Sequence, residues 1–169
     1  MIAVNRVPLI DMGKSTTGCC ALINPSEWDE KTFKFDNKLF VKASTRSFLH
    51  IPLNMSSVMA DAQSKIDEAG ARVDSFLILS RDVSPWKADH YFAVSKEVPG
   101  MDMAKLSGTY MAKVFEGAYK EVPKWYNQLV EYVKSKGKKP LVTYFFYTTC
   151  PSCSKAYGKN YVVGFEKVA

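Results

Sequence analysis

Apolar positions along this chain follow two periods, and the order of the periods repeats. "KASTRSFLHIPL" (42–53) alternates like a strand. "NMSSVMADAQSKIDEAGA" (54–71) places Met55, Val58 or Met59, Ala62 and Ile66 at helical spacing; Asn54 or Ser56 can cap its start and Gly70 close it. "DSFLILSRD" reads as an apolar strand, "VSPWKADH" as a loop and "YFAVSKEV" as a strand. The same order returns. "GTYMAKVFEGAY" is a strand, and "KEVPKWYNQLVEYVKSKG" is a helix with Val122, Trp125 or Tyr126, Leu129 and Val133 on one face and Gly137 at its end. "KPLVTYFFYTT" is a strand, "CPSCSKAYGKN" a loop and "YVVGFEKV" the last strand.

The pattern predicts an α+β protein with two copies of a β-α-β-β unit. The offset is 66 residues from "SFLIL" (75–79) to "LVTYF" (141–145), and 70 from "YFAVSKEV" (91–98) to "YVVGFEKV" (161–168). Two such units are expected to form one twisted antiparallel sheet with both helices on one face, leaving the other face for a ligand, a second subunit or water. The expected layout is a single domain over 1–169. An irregular extension covers 1–39, the first unit 40–98 and the second 99–169. The extension carries turn formers at 11–13, 16–18 and 24–26. It ends in a short hairpin, "KTFKFDNKLFVKA", turning at Asp36 and Asn37.

The 169 residues suffice for a real core, and 47% apolar with 24% charged residues is ordinary for a soluble globular protein. No apolar run approaches the roughly 20 residues of a membrane span, and the start lacks the apolar stretch of a signal peptide. The expected setting is cytoplasmic, with no membrane partner. The net charge of +6 is scattered, apart from Lys134, Lys136, Lys138 and Lys139, which fall where cations meet the negative end of a helix. Nucleic acid is therefore not the expected partner.

Candidate chemistry centres on the duplication. The 66-residue offset lays His50 over Glu116, both near the end of the first strand of their unit. Around a pseudo-two-fold axis they would approach one central groove, as acid and base, as a fixed anion for a cationic ligand, or as a structural hydrogen bond. The second unit is rich in aromatic residues. In "TYFFYT" alternation puts Tyr144 and Phe146 on one face and Phe145 and Tyr147 on the other, so one face covers the helices and the other presents rings to the groove. Trp86, Tyr119, Trp125, Tyr144 and Phe146 are the candidate ligand-contacting residues, with Trp86 as a lid. Taken singly, each ring reads first as plain core.

The four cysteines are Cys19, Cys20, Cys150 and Cys153. A C-x-x-C in a β-β loop reads as half of a structural zinc site, as a redox pair or as unmodified thiols. If zinc is bound, a closed clip pinning the N-terminal segment fits best, since no H-E-x-x-H pattern occurs. G-x-S-x-G, P-loop and G-x-G-x-x-G patterns are absent too, so no classical serine hydrolase is expected.

The two β-α-β-β units, with "LSGTYMAKVFEGAYKEVPKWYNQLVEYVKSKGKKP" opening the second, resemble the GyrI-like fold over residues 40–169. The whole chain, through "TGCC", "FLHIPLN", "LSRDVSPWKADHYFAV" and "FYTTCPSCSKAYGKNYVVGF", is similar to a group of bacterial proteins labelled "hydrolase". The GyrI-like resemblance implies a small-molecule pocket between the units, binding lipophilic cations through a buried Glu or hydrolysing strained rings with a Glu and aromatic residues. Where the family places that Glu, this chain has Tyr144, so Glu116 would take its place from another strand. The expectation is a monomer or homodimer binding a small organic ligand. The alternative is a hydrolase with Glu116 as base or nucleophile, assisted by His50.

Overall fold

The long alternations become strands and the two amphipathic stretches become helices. The computed structural model describes residues 3–10, 15, 20–149 and 151–169. The expected turns at 11–13 and 16–18, and Cys19 and Cys150, lie outside the described residues. The strands are β1 (Thr32–Phe48), β2 (Ile51–Pro52), β3 (Ile78–Ser84), β4 (Lys87–Ala93), β5 (Asp102–Glu116), β6 (Pro140–Tyr147) and β7 (Tyr161–Val168). The helices are α1 (Met55–Glu68), α2 (Val122–Ser135) and α3 (Pro151–Tyr157). Two compact units result: unit 1 joins Met1–Phe35 to Gly108–Ala169, and unit 2 is the continuous stretch Asp36–Ser107. β1 and β5 each run from one into the other.

In unit 2, β4 is flanked by β1, from Phe40 opposite Ala93 to Arg46 opposite Lys87, and by β3, with Ile78 opposite Phe92; both pairings are antiparallel. Helix α1 lays Ala62 and Ile66 on the face carrying Val41 and Phe92, where Val94 and Val98 complete the core. Gly70, at φ +63°, ends the helix by letting Ala71 N–H reach Ile66 O at 3.0 Å. Asn54 occupies the N-cap position, but its side chain accepts from Arg46 N–H at 2.7 Å instead of capping.

In unit 1, β7 lies between β5 and β6, antiparallel to both. Trp125, Leu129 and Val133 of α2 are buried against one face, where Phe115, Phe145 and Val162 meet Trp125 and Leu129. Gly164 permits that approach, since a Cβ there would fall 2.8 Å from Leu129 Cδ2. The opposite face is filled by the chain's own rings. Trp28 sits 5.6 Å from Phe146 and 5.9 Å from Phe33, and Phe35 lies 4.8 Å from Tyr110. A 3-10 turn at Pro25–Glu27, held by the Asn24 side chain, delivers Trp28. Asp29 Oδ1 then accepts from Val114 N–H at 2.9 Å.

Four expectations need correction. No hairpin turns at Asp36 and Asn37: β1 is one strand of 17 residues that absorbs a left-handed Asn37 while its N–H bonds Ser107 Oγ at 2.8 Å. The loop over 83–90 is mostly strand, because Pro85 and Trp86 form a tight turn that starts β4 at Lys87. The loop over 150–160 contains α3, with Pro151 at its first position and Gly158 at φ +68° just past its end. Finally, the mixed, antiparallel arrangement has three helices, and β1 pairs with β2, β4 and β5, which a plain twisted sheet of two repeats does not provide.

Candidate functional site

Strand pairing in unit 2 brings hydroxyl, imidazole and carboxylate groups together. Ala88, His90 and Phe92 share a face of β4, the face α1 covers through Phe92. Register sets Ser80 of β3 and Ala43 of β1 opposite His90, and Thr45 follows Ala43 on the same face. Ser80 Oγ lies 2.7 Å from His90 Nδ1, and Thr45 Oγ1 lies 2.9 Å from His90 Nε2. Ser80 retains 8% of its surface, against 1% each for His90 and Thr45, so all three are buried.

Burial pushes the His90 imidazole below its ordinary value of 6.5, against the opposing pull of the Asp89 and Asp82 charges. A neutral imidazole has one donor and one acceptor nitrogen. With the proton on Nε2 toward Thr45, Nδ1 accepts from the Ser80 hydroxyl, which is the relation of a nucleophile to its base. Asp89 turns to the opposite face, accepts from Ser44 Oγ at 2.6 Å and pairs with Lys42 at 3.6 Å and Lys87 at 3.8 Å.

The residues singled out from the sequence are distributed over both units. His50 is exposed in unit 2, its Nδ1 3.0 Å from Asp82 Oδ2. Trp86 is exposed in the β3–β4 turn, 5.6 Å from the Phe48 ring. The remaining ones belong to unit 1. Glu116 ends β5 opposite Tyr161 and is exposed. Beside it, Asn160 Nδ2 donates to Gly117 O at 2.8 Å and Thr149 Oγ1 to Asn160 Oδ1 at 2.9 Å. The Tyr119 hydroxyl donates to Thr149 O at 2.5 Å. Trp125 is buried and stacked on Phe115, with ring centroids 5.6 Å apart. Tyr144 and Phe146 are buried on the opposite face, as the alternation predicts, packed with Tyr110 and Trp28.

Of the cysteines, Cys153 is buried on α3 and Cys20 is half-buried; Cys19 and Cys150 lie outside the described residues. The Tyr157 hydroxyl of α3 donates to Cys20 O, which also accepts from Ser15 Oγ at 2.7 Å. The described residues contain no cluster of three or more His, Cys, Asp or Glu side chains able to hold a metal ion. One further buried carboxyl, Glu166 on β7, is pushed above its ordinary range by burial, although Thr143 Oγ1 and the backbone at Leu141 and Val142 donate to it.

A family model described as "Bacterial hydrolase" matches residues 10–168. The chain belongs to this family. No curated protein matches it. Among solved structures it is similar to SAV2435 bound to tetraphenylphosphonium, at 11% identity and a TM-score of 0.46, over 82% of this chain and 93% of that one.

Within this hydrolase-family chain, Ser80, Thr45 and His90 are the residues that reading for motifs passed over. A signal for them existed. His90 alternates with Ala88 and Phe92, so an otherwise apolar face of the strand carries an imidazole, and a buried imidazole needs partners. Assigning 83–90 to a loop hid that alternation.

Proposed function

We propose that this chain hydrolyses a small organic compound, with Ser80 as the nucleophile and His90 as its base. The observation that carries the reading is the 2.7 Å contact of Ser80 Oγ with His90 Nδ1, the far nitrogen being held by Thr45. The family description supports hydrolysis. The resemblance of residues 40–169 to GyrI-like small-molecule binders supports a compact organic substrate over a polymer. Ser80 Oγ attacks an electrophilic carbon while its proton passes to His90 Nδ1. That proton then leaves with the departing group. Water attacks the resulting acyl-serine, gives a proton to His90 and frees Ser80, which recovers its proton from the imidazole. Burial favours the neutral imidazole that the first step requires.

The test is turnover of a panel of aryl esters and amides, together with labelling by a fluorophosphonate. Ser80→Ala and His90→Gln are each expected to lower kcat by at least about a hundredfold, and Ser80→Ala to abolish labelling. Glu116 is the rival nucleophile or base, with His50 in support. Loss of turnover in Glu116→Gln alone would transfer the role to it. Full activity in all three variants, with a lowered melting temperature only for the Ser80 and His90 changes, would reduce the trio to a core hydrogen-bond set. A compound retained intact, without product, would make the protein a binder.

We also propose one structural zinc ion per chain, drawing ligands from Cys19, Cys20, Cys150 and Cys153. The bond from Tyr157 to Cys20 O supports it, because it ties the segment of one cysteine pair to the helix carrying Cys153.

A further inference from the structure

Two tight turns of unit 2 lie side by side and carry the largest concentration of exposed apolar side chains among the described residues. One joins β1 to β2, where Phe48 pairs with Ile51; the other joins β3 to β4 through Pro85 and Trp86. Their backbones are laced together. Ser47 N–H donates to Trp86 O at 2.8 Å and His50 N–H to Pro85 O at 2.9 Å. Phe48, Leu49, Ile51, Leu53, Val83 and Trp86 are each at least 46% exposed, and the Phe48 and Trp86 rings touch. Exposed apolar residues scattered singly need no explanation, but a contiguous set does.

The β1–β2 turn is also held in an unfavourable backbone state. Leu49 and His50, its two central residues, have φ of +47° and +69°. A two-residue turn of this kind ordinarily takes Asn-Gly, which enters the left-handed region cheaply. Here a leucine occupies it and points its side chain into solvent. Strain joined to exposed apolar surface marks a place where something other than stability sets the sequence.

The charges behind the tip indicate what covers it. Arg46 lies two residues before Phe48, Arg81 two before Val83, and Lys87 directly after Trp86. Arg46 and Arg81 are in no ion pair among the described residues; Lys87 reaches Asp89 at 3.8 Å. Asp89 also pairs with Lys42, and Asp82 is engaged by His50. A convex apolar end carrying a tryptophan and a phenylalanine, with arginines one step behind, matches the layering of a bilayer surface. Rings sit at the headgroup level, aliphatic groups enter below them and cations meet anionic lipid. The lacing satisfies two backbone N–H groups at the tip that lipid could not.

We propose that this double turn docks the protein on an anionic membrane surface, with Trp86 and Phe48 as anchors and Arg46 and Arg81 as the electrostatic contacts. The lack of a spanning segment in the sequence does not bear on such peripheral attachment. The inference stands apart from the Ser80–His90 reading, since neither residue belongs to the tip.

The experiment is flotation of the full chain with vesicles of phosphatidylcholine, with and without about a quarter phosphatidylserine, read together with tryptophan fluorescence. The chain has three tryptophans, and Trp28 and Trp125 are buried. Quenching by brominated lipid therefore reports Trp86, and Trp86→Phe should remove it. The expected result is flotation with the anionic vesicles, weakened roughly tenfold or more by Arg46→Gln with Arg81→Gln and lost in Phe48→Ala with Trp86→Ala. All these positions are exposed, so circular dichroism should show each variant folded. Failure to float with anionic vesicles, or flotation indifferent to both double variants, would overturn the proposal. A dimer in solution that the Phe48 and Trp86 changes convert to monomer, without vesicle binding, would overturn it in favour of a second copy of this chain.

Discussion

A histidine whose two ring nitrogens meet only hydroxyl groups has no carboxylate hydrogen-bonded to its ring. His90 is in that position, with Ser80 and Thr45 on either side, and burial holds its imidazole below 6.5. The unfolded chain then binds a proton that the folded chain does not, in the window between the lowered value and about 6.5. Stability rises with pH across that window and falls as the medium is acidified through it. Urea midpoints at about pH 7.5 and about pH 5.5 should therefore differ more for the parent protein than for His90→Gln, which cannot titrate. Equal differences would show that His90 carries its proton in the folded state.

At the scale of elements, the helices with a full apolar stripe were legible and the short ones were not. α1 and α2 fall within two or three residues of the stretches their periodicity marks, and Gly70 and Gly137 follow them as stop signals. α3 has seven residues and no stripe. Its marks are Pro151 and Gly158, which bound too few residues for a helical period to show. The asparagine that suggested a hairpin misled because Asn37 takes a left-handed conformation without reversing the chain. Helix α2 offers a direct test of how tightly elements pack. Gly164 of β7 has no positive φ to protect. A Cβ there would meet Leu129 Cδ2 at 2.8 Å and Phe115 Cε2 at 3.2 Å. Gly164→Ala should thus cost about 1–3 kcal/mol through overpacking, seen as a lower urea midpoint with an unchanged slope. No loss would mean that α2 can withdraw without penalty.

For the molecule as a whole, sequence showed a mixed antiparallel fold but not its partition. Periodicity suggested two successive units, whereas the packing clusters Met1–Phe35 with Gly108–Ala169 and leaves Asp36–Ser107 as the other body. The reason is aromatic. Trp28, Phe33 and Phe35, in what looked like an irregular extension, supply the rings that cover Phe146, Phe165 and Tyr110. The candidate site was hidden for a related reason, since Thr45 is 45 residues from His90 and Ser80 meets His90 only through the register of β3 on β4. The zinc proposal belongs at this scale, because such an ion would link the two separated segments of unit 1. Native mass spectrometry should find one zinc per chain, lost on Cys153→Ser or after a strong chelator, together with a lower melting temperature. An unmetallated mass with four alkylatable thiols would end it. The partition also sets an order of events during synthesis. The first segment leaves the ribosome with three large rings whose partners on β5, β6 and β7 do not yet exist. At roughly 5–20 residues per second, several seconds pass before those partners are made. Unit 2 can close in the meantime, but the first segment cannot. A newborn chain is therefore most exposed to aggregation, and most in need of a chaperone, along the stretch that carries Trp28, Phe33 and Phe35.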